Sequence, residues 1–218
     1  MTETQTPTEV HQHRHRLLEG MAHAVAAKGY GDTTIADIVR EAGVSRRTFY
    51  EHFTTKAQCL IALYEAASHN ALKVLRESID PAHEWQTQVE RALSAYLGCM
   101  VQNPVLMRTL FIEILGLGTE GLAARRRVNQ EIADFMLGVV NGAGENARSA
   151  ALSPGMAMAV VGGINELILQ YIEQDQVARL LDLVAPASRL LHAMTEAPAA
   201  PEEPGAVRED MDGGSGPH

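Results

Sequence analysis

Apolar residues recur along most of this 218-residue chain at spacings of three and four, the period of an amphipathic helix. Nowhere do apolar and polar positions alternate for long enough to predict a strand. Leu17, Met21, Ala24 and Val25 form the first stripe and predict a helix over about 10–28, with Gly29 as its stop. Thr34 precedes Ile35 and has Asp37 three positions on, a variant of the capping box. The helix it starts, Ile35–Ala42, turns Ile35, Ile38, Val39 and Ala42 inward and ends at Gly43. Ser45 is placed to cap a third helix. That helix must be short, because Thr54 and Thr55 already announce a fourth, with Thr55 to Gln58 again in capping-box form.

The fourth helix runs amphipathically to about Ile79, and Pro81 closes it. Further helices are predicted over 84–101, over 104–116 with Asn103 as cap and Pro104 in the first turn, and over 120–140. "NGAGENARSAALSPG" reads as a loop, followed by a helix over 156–172 and a last one over 176–194, bent at Pro186. After Ala197 the chain is rich in proline, glycine and acid, and is expected to be a disordered tail. The fold expected is all-α, with about nine helices. A helix-turn-helix head with a flexible N-terminal arm occupies 1–56, a helical domain 57–196 and the tail 197–218.

Composition narrows the class. Aromatic residues are 5% and hydrophobic ones 46%, which suits a helical globular chain. No run of 18 apolar residues and no apolar signal core appear, so a cytoplasmic protein with no membrane partner is expected. Cys59 and Cys99 are isolated, which fits a reducing compartment. The net charge of −9 is unevenly spread: residues 1–56 hold seven basic and seven acidic groups, while the remainder holds 11 and 20. The first quarter is therefore relatively basic, which permits nucleic-acid binding without establishing it.

Within that quarter, two short helices joined at Gly43-Val44 have helix-turn-helix spacing. Phe49 and Phe53, four apart, share one face, and burying it leaves Arg46, Arg47, Thr48 and Tyr50 on the exposed sides. Two alternatives stay open. Tyr50 packs on Leu17 or Met21, or Arg47 only pairs with Glu51 four positions on. "HQHRHR", His11 to Arg16, is expected to be a basic arm lying along DNA, or else a frayed solvated start. His11 and His15 share a face, but no carboxylate or cysteine completes a four-ligand set at suitable spacing, so no metal is expected.

"TTIADIVREAGVSRRTFYEHFTTKAQCL", Thr33 to Leu60, resembles the N-terminal signature of the TetR family of transcriptional regulators, over about fifty residues from Leu17 to Tyr64. The resemblance implies an all-helical dimer with a DNA-binding head and a ligand-binding, dimerising remainder. It implies DNA contacts from Thr34, Ser45, Arg46, Arg47, Thr48, Tyr50, His52 and Lys56. Many members have a glycine or small residue where Arg47 stands.

In the second half, residues 156–172 are apolar around most of the helix circumference, and Gly162 and Gly163 allow close approach of another helix. Met158, Gly162, Gly163, Leu167, Leu180, Leu181 and Leu190 are the expected dimer interface, a four-helix bundle made by two copies. Trp85, Tyr96, Met100, Met107, Phe111 and Phe135 suggest an adaptable apolar pocket, with Glu113, Arg108 and Asn165 as polar contacts. The triple arginine at 125–127 reads as a solvated helix face. No Ser/His/Asp or Cys/His set and no phosphate-cradling glycine loop is present, so neither an enzyme nor a cofactor is expected. The functional expectation is a homodimeric repressor, released from a palindromic double-stranded DNA operator by a small-molecule effector. The alternative is a helical small-molecule-binding protein without sequence-specific DNA binding.

Overall fold

A computed structural model describes residues 7–142 and 151–195. The expected tail, the first six residues and the middle of the 141–155 loop lie outside the described residues. Among the described residues every regular element is helical. Helix α1 (Pro7–Asp32) begins earlier than its periodicity predicts, and its helical geometry breaks at Gly29, where φ is 79°.

Helix α2 (Ile35–Ala42) is fastened at both ends. The Thr34 hydroxyl oxygen accepts the Asp37 N–H at 3.2 Å, and the Asp37 carboxylate accepts the Thr34 N–H at 2.9 Å. Lys28 Nζ, 2.5 Å away, and Arg40, 3.1 Å away, complete the shell of that carboxylate. The hydrogen bond from Lys28, and then those from Thr34, hold the Asp37 carboxyl well below its ordinary 3.8. At the other end Gly43 takes the left-handed conformation (φ 61°, ψ 37°). The Arg16 guanidinium donates to the Ala42 carbonyl at 2.9 Å and to that of Gly43, satisfying carbonyls the helix leaves open.

Helix α3 (Arg46–His52) starts where Ser45 Oγ accepts the Thr48 N–H at 3.0 Å. Helix α4 (Lys56–Glu77) starts where Thr55 Oγ1 accepts the Gln58 N–H at 3.1 Å. The reciprocal half of that box is shifted, because the Gln58 side chain takes the N–H and hydroxyl of Thr54, not of Thr55. Helix α5 spans Trp85–Val101.

The single helix expected over 104–116 is broken into α6 (Pro104–Arg108), a π-helical turn (Thr109–Glu113) and a 3₁₀ turn (Leu115–Leu117). Asn103 makes no side-chain cap bond. The Thr109 hydroxyl bonds back to the Val105 carbonyl at 3.1 Å, a contact that bends helices. Gly118, at φ 62°, ends the segment and opens α7 (Gly118–Val140).

Helix α8 (Pro154–Glu173) matches expectation. By length and composition alone it could cross a bilayer, yet it packs on α7 and the final helices. The last predicted helix is divided into a 3₁₀ stretch (Val177–Leu183) and α9 (Val184–Thr195). Pro186 therefore does not bend a long helix. It lies in the first turn of α9, where a missing N–H breaks no ladder bond. The buried residues form one continuous core running from Leu17 in α1 to Leu191 in α9, so the first three helices have no core separate from the rest.

The tightest approach in the head is at Gly20, where a Cβ would sit 2.6 Å from the Ile38 carbonyl oxygen and 2.8 Å from the Ala42 nitrogen. Both atoms are backbone and cannot rotate away. Gly20→Ala is expected to lower the urea midpoint, because prising α2 from α1 costs about 1–3 kcal/mol and alanine's helix preference offsets only about 1 kcal/mol of it. A second expectation concerns Asp37. Its pKa is depressed, so its stabilisation is fully present above the unfolded value, 3.8, and is lost as pH falls below it. Asp37→Asn should melt at a lower temperature than the parent at neutral pH, and the gap should narrow below about pH 4 in a thermal series.

Candidate nucleic-acid interface and internal cavity

Phe49 is fully buried and Phe53 is 5% exposed, so the outward sides of α3 are fixed by what lies beneath them. Ser45, Arg46, Arg47 and Tyr50 are exposed, and Thr48 is half-buried. Arg46 makes no hydrogen bond or ion pair among the described residues. Arg47 pairs with Glu51 at 3.1 Å, with 79% of the arginine side chain exposed, and a helical surface pair of this kind contributes only about 0.3–0.5 kcal/mol. It leaves Arg47 available to a stronger anion. Tyr50 is 57% exposed and stands edge-on to the Phe49 ring at 5.5 Å, so it does not pack into the head. Thr34 caps α2 from an exposed position.

Two residues expected on this surface turn inward. Lys56 Nζ donates to the carbonyls of Tyr30 and Thr33, each at 2.7 Å, and of Gly31 at 3.3 Å, and lies 4.2 Å from the centre of the Tyr30 ring. An ammonium with three donors already used clamps the α1–α2 turn to the start of α4 and is not a loose phosphate contact. His52 is half-buried, and burial pushes its pKa below the ordinary value, with His13 adding repulsion and Glu51 opposing it. Its Nε2 is buried, and the ring lies beside Phe53. Burial therefore disfavours the charged form of His52 at this surface.

The expected N-terminal arm is helix, and its arginines serve the head. Arg14 lies over the Phe53 ring at 5.8 Å, while Arg16 caps α2. His15 sits 3.4 Å from Glu19.

A cavity of about 170 Å³ lies between α4, α5, the segment from α6 through the π turn, and α7. Tyr96, Met100, Met107, Phe111 and Asn165 line it as expected. Trp85 and Phe135 do not; they line a separate apolar space of about 60 Å³ near Leu191. Arg108 is exposed, and Glu113 aims its carboxylate at Gly29 of α1, so neither supplies the cavity's polar contacts. Tyr64 and Asn129 also line the cavity, with nothing in the sequence to mark them. Asn165 donates to Asn129 at 2.8 Å, and burial pushes the Tyr64 hydroxyl up to about 12 despite the nearby Arg125 charge. Burial raises Tyr96 as well.

The three consecutive arginines are not one solvated face. Successive positions on a helix differ by about 100°. Arg125 lines the cavity, Arg126 is exposed, and Arg127 binds Glu65 of α4 at 2.6 Å.

Of the residues expected at a dimer interface, Leu181 is 47% exposed, and Met158, Gly162, Gly163, Leu167 and Leu190 are half-exposed. A Cβ on Gly162 would meet nothing, while one on Gly163 would lie 3.7 Å from Leu190. Leu180 is fully buried in the chain's own core and cannot serve a second copy, because the 3₁₀ stretch turns it inward. Cys59 is buried, and burial pushes its thiol up to about 12, which makes it a core residue and not a nucleophile.

With this geometry in place, three comparisons with known proteins bear on it. The sequence pattern described as "Bacterial regulatory proteins, tetR family" matches residues 17–63, which span the turn and both short helices. The "Fatty acid metabolism regulator protein" of Bacillus subtilis (strain 168) is 22% identical over 185 residues, covering 82% of this chain and 92% of the relative. The "HTH-type transcriptional regulator SrpR" of Pseudomonas putida is 29% identical over 126 residues, covering 56% of each chain. Among solved structures, the transcriptional regulator FadR from Bacillus subtilis, in complex with stearoyl-CoA, superposes with a TM-score of 0.67 at 19% identity. The superposition covers 81% of this chain and 96% of that one, and shows a shared fold. Residues 17–63, the segment that carries α2 and α3, therefore match the tetR family of bacterial regulatory proteins, and the chain as a whole shares the all-helical fold of such regulators.

Proposed function

We propose that this regulator is a homodimeric, cytoplasmic repressor that releases a palindromic double-stranded DNA operator when a small molecule fills the 170 Å³ cavity. The observation that carries the reading is the display of Ser45, Arg46, Arg47, Thr48 and Tyr50 on a helix anchored by a fully buried Phe49. A helix so held enters a major groove, with arginines able to grip guanine edges or phosphates and Tyr50 and Thr48 able to reach the backbone. Thr34, at the start of α2, is placed to meet a flanking phosphate. Two heads are needed for two half-sites, and the uncovered face of α8 with Leu181 and Leu190 supports pairing of two copies. In this reading residues 1–56 form the head and 57–196 the effector and pairing region.

The same structure supports a route for release. Leu110 and Phe111 of the π turn line the cavity, and that turn packs on α1 with Glu113 facing Gly29. Helix α4 lines the cavity from Tyr64 to Ala71, and Lys56 at its start clamps Tyr30 and Thr33. A ligand that prefers one placement of these elements shifts the spacing of the two heads, and only that preference can do so.

The relative solved with stearoyl-CoA does not fix the effector here. The cavity has the scale of a compact molecule, since an apolar space of roughly 150 Å³ holds benzene.

Fluorescence anisotropy on a duplex selected by the protein from random sequence tests the reading. Arg46→Ala and Arg47→Ala should each weaken binding by about 1–3 kcal/mol if a base edge is lost. A lost phosphate should reduce the slope of log K against log salt by about one. Unchanged affinity and slope in the double variant would remove the assignment. Failure to select any duplex would favour the small-molecule-binding alternative.

A further inference from the structure

The cavity's lining carries charge at a single point. Among the described residues around it, Arg125 is the one ionisable cation, and no aspartate or glutamate is present. Arg125 is half-buried and makes no ion pair or hydrogen bond among the described residues, whereas Arg127, two positions on, is held by Glu65. Around the cavity, Met100, Met107, Leu110, Phe111, Ile114 and Val128 supply an apolar wall. A guanidinium that faces such a wall without a counter-ion has given up part of its hydration, and an incoming carboxylate would satisfy it with two parallel hydrogen bonds. The Tyr64 hydroxyl, close enough to feel the Arg125 charge, and the Asn129–Asn165 amide pair add neutral polar groups to the same lining.

Resting on the reading of this cavity as the effector site, we propose that the effector is a compact organic monoanion. Its carboxylate is taken by Arg125, and its apolar body, an aromatic ring or short hydrocarbon chain, is held between α5 and the π turn. Size and charge both enter this choice. A cavity of about 170 Å³ accommodates one ring or a short chain, and a site with no carboxylate disfavours organic cations. The wall excludes a second charge because none of its other side chains can neutralise one.

The test is calorimetric titration of the full chain with benzoate, phenylacetate and hexanoate, each set against its neutral amide, in parallel with anisotropy of the selected duplex. The acids should bind the parent protein at least about tenfold more tightly than the amides, the scale of a hydrogen bond to a charged group. Arg125→Gln should erase that preference while leaving duplex affinity in the absence of ligand unchanged, and Arg125→Lys should keep part of it. Amides that bind as tightly as acids, acid affinity untouched in Arg125→Gln, or no binding of any acid at millimolar concentration would each overturn the proposal. The duplex arm separates the two readings. Amides that bind as well and still release DNA leave the regulatory reading standing without the acid site. Acids that bind through Arg125 with no effect on duplex affinity leave the acid site standing without the regulatory reading.

Discussion

Phe49 has no exposed surface, and the outward face of α3 follows from that burial. A seven-residue helix has too few internal hydrogen bonds to persist alone, so packing must supply its stability. The ring enters the core beside Phe53, which in turn lies under Arg14 of α1. Rotating α3 by one position would drag Tyr50 inward and expose Phe49. That alternative gives up the burial of an entire aromatic side chain, about 1.5–3 kcal/mol. Arg46 and Arg47 point to solvent because Phe49 cannot.

Around this anchor, several cations that look like DNA contacts are consumed in holding the head together. Arg16 closes the end of α2, Lys28 joins its start through Asp37, and Lys56 ties the intervening turn to α4. These bonds fix α2 between α1 and α4, while α3 is held by the burial of Phe49. Both flanking helices also reach the remainder of the chain: α1 touches the π turn, and α4 lines the cavity. The buried core is continuous from the head to the helices around the cavity.

What could be read from the sequence was whatever neighbours in sequence decide. Thr34 with Asp37, Ser45 with Thr48 and Gly43 after Ala42 are interactions across three or four positions, and each was visible as spacing. The phenylalanine pair fixed the exposed face of α3 for the same reason. Long-range partners were not visible. Nothing near Lys56 in the sequence announces carbonyls more than twenty positions away, and Gly20 looks like any helical glycine until α2 is laid on it. The arginine run misled because composition gives no rotation angle; only packing of α7 shows that Arg125 faces the cavity. Leu180 and the 104–116 segment failed through the same limit, since 3₁₀ and π geometry reassign faces that a regular 3.6-residue period would predict.

In the proposed function two copies of α3, held outward by Phe49, read adjacent grooves of one duplex. Hydroxyl-radical footprinting on a duplex the protein has selected tests this directly. Two protected patches on one face of the DNA, about 34–36 Å apart or a multiple of it, are predicted. A single patch, or protection spread evenly along the duplex, would contradict it.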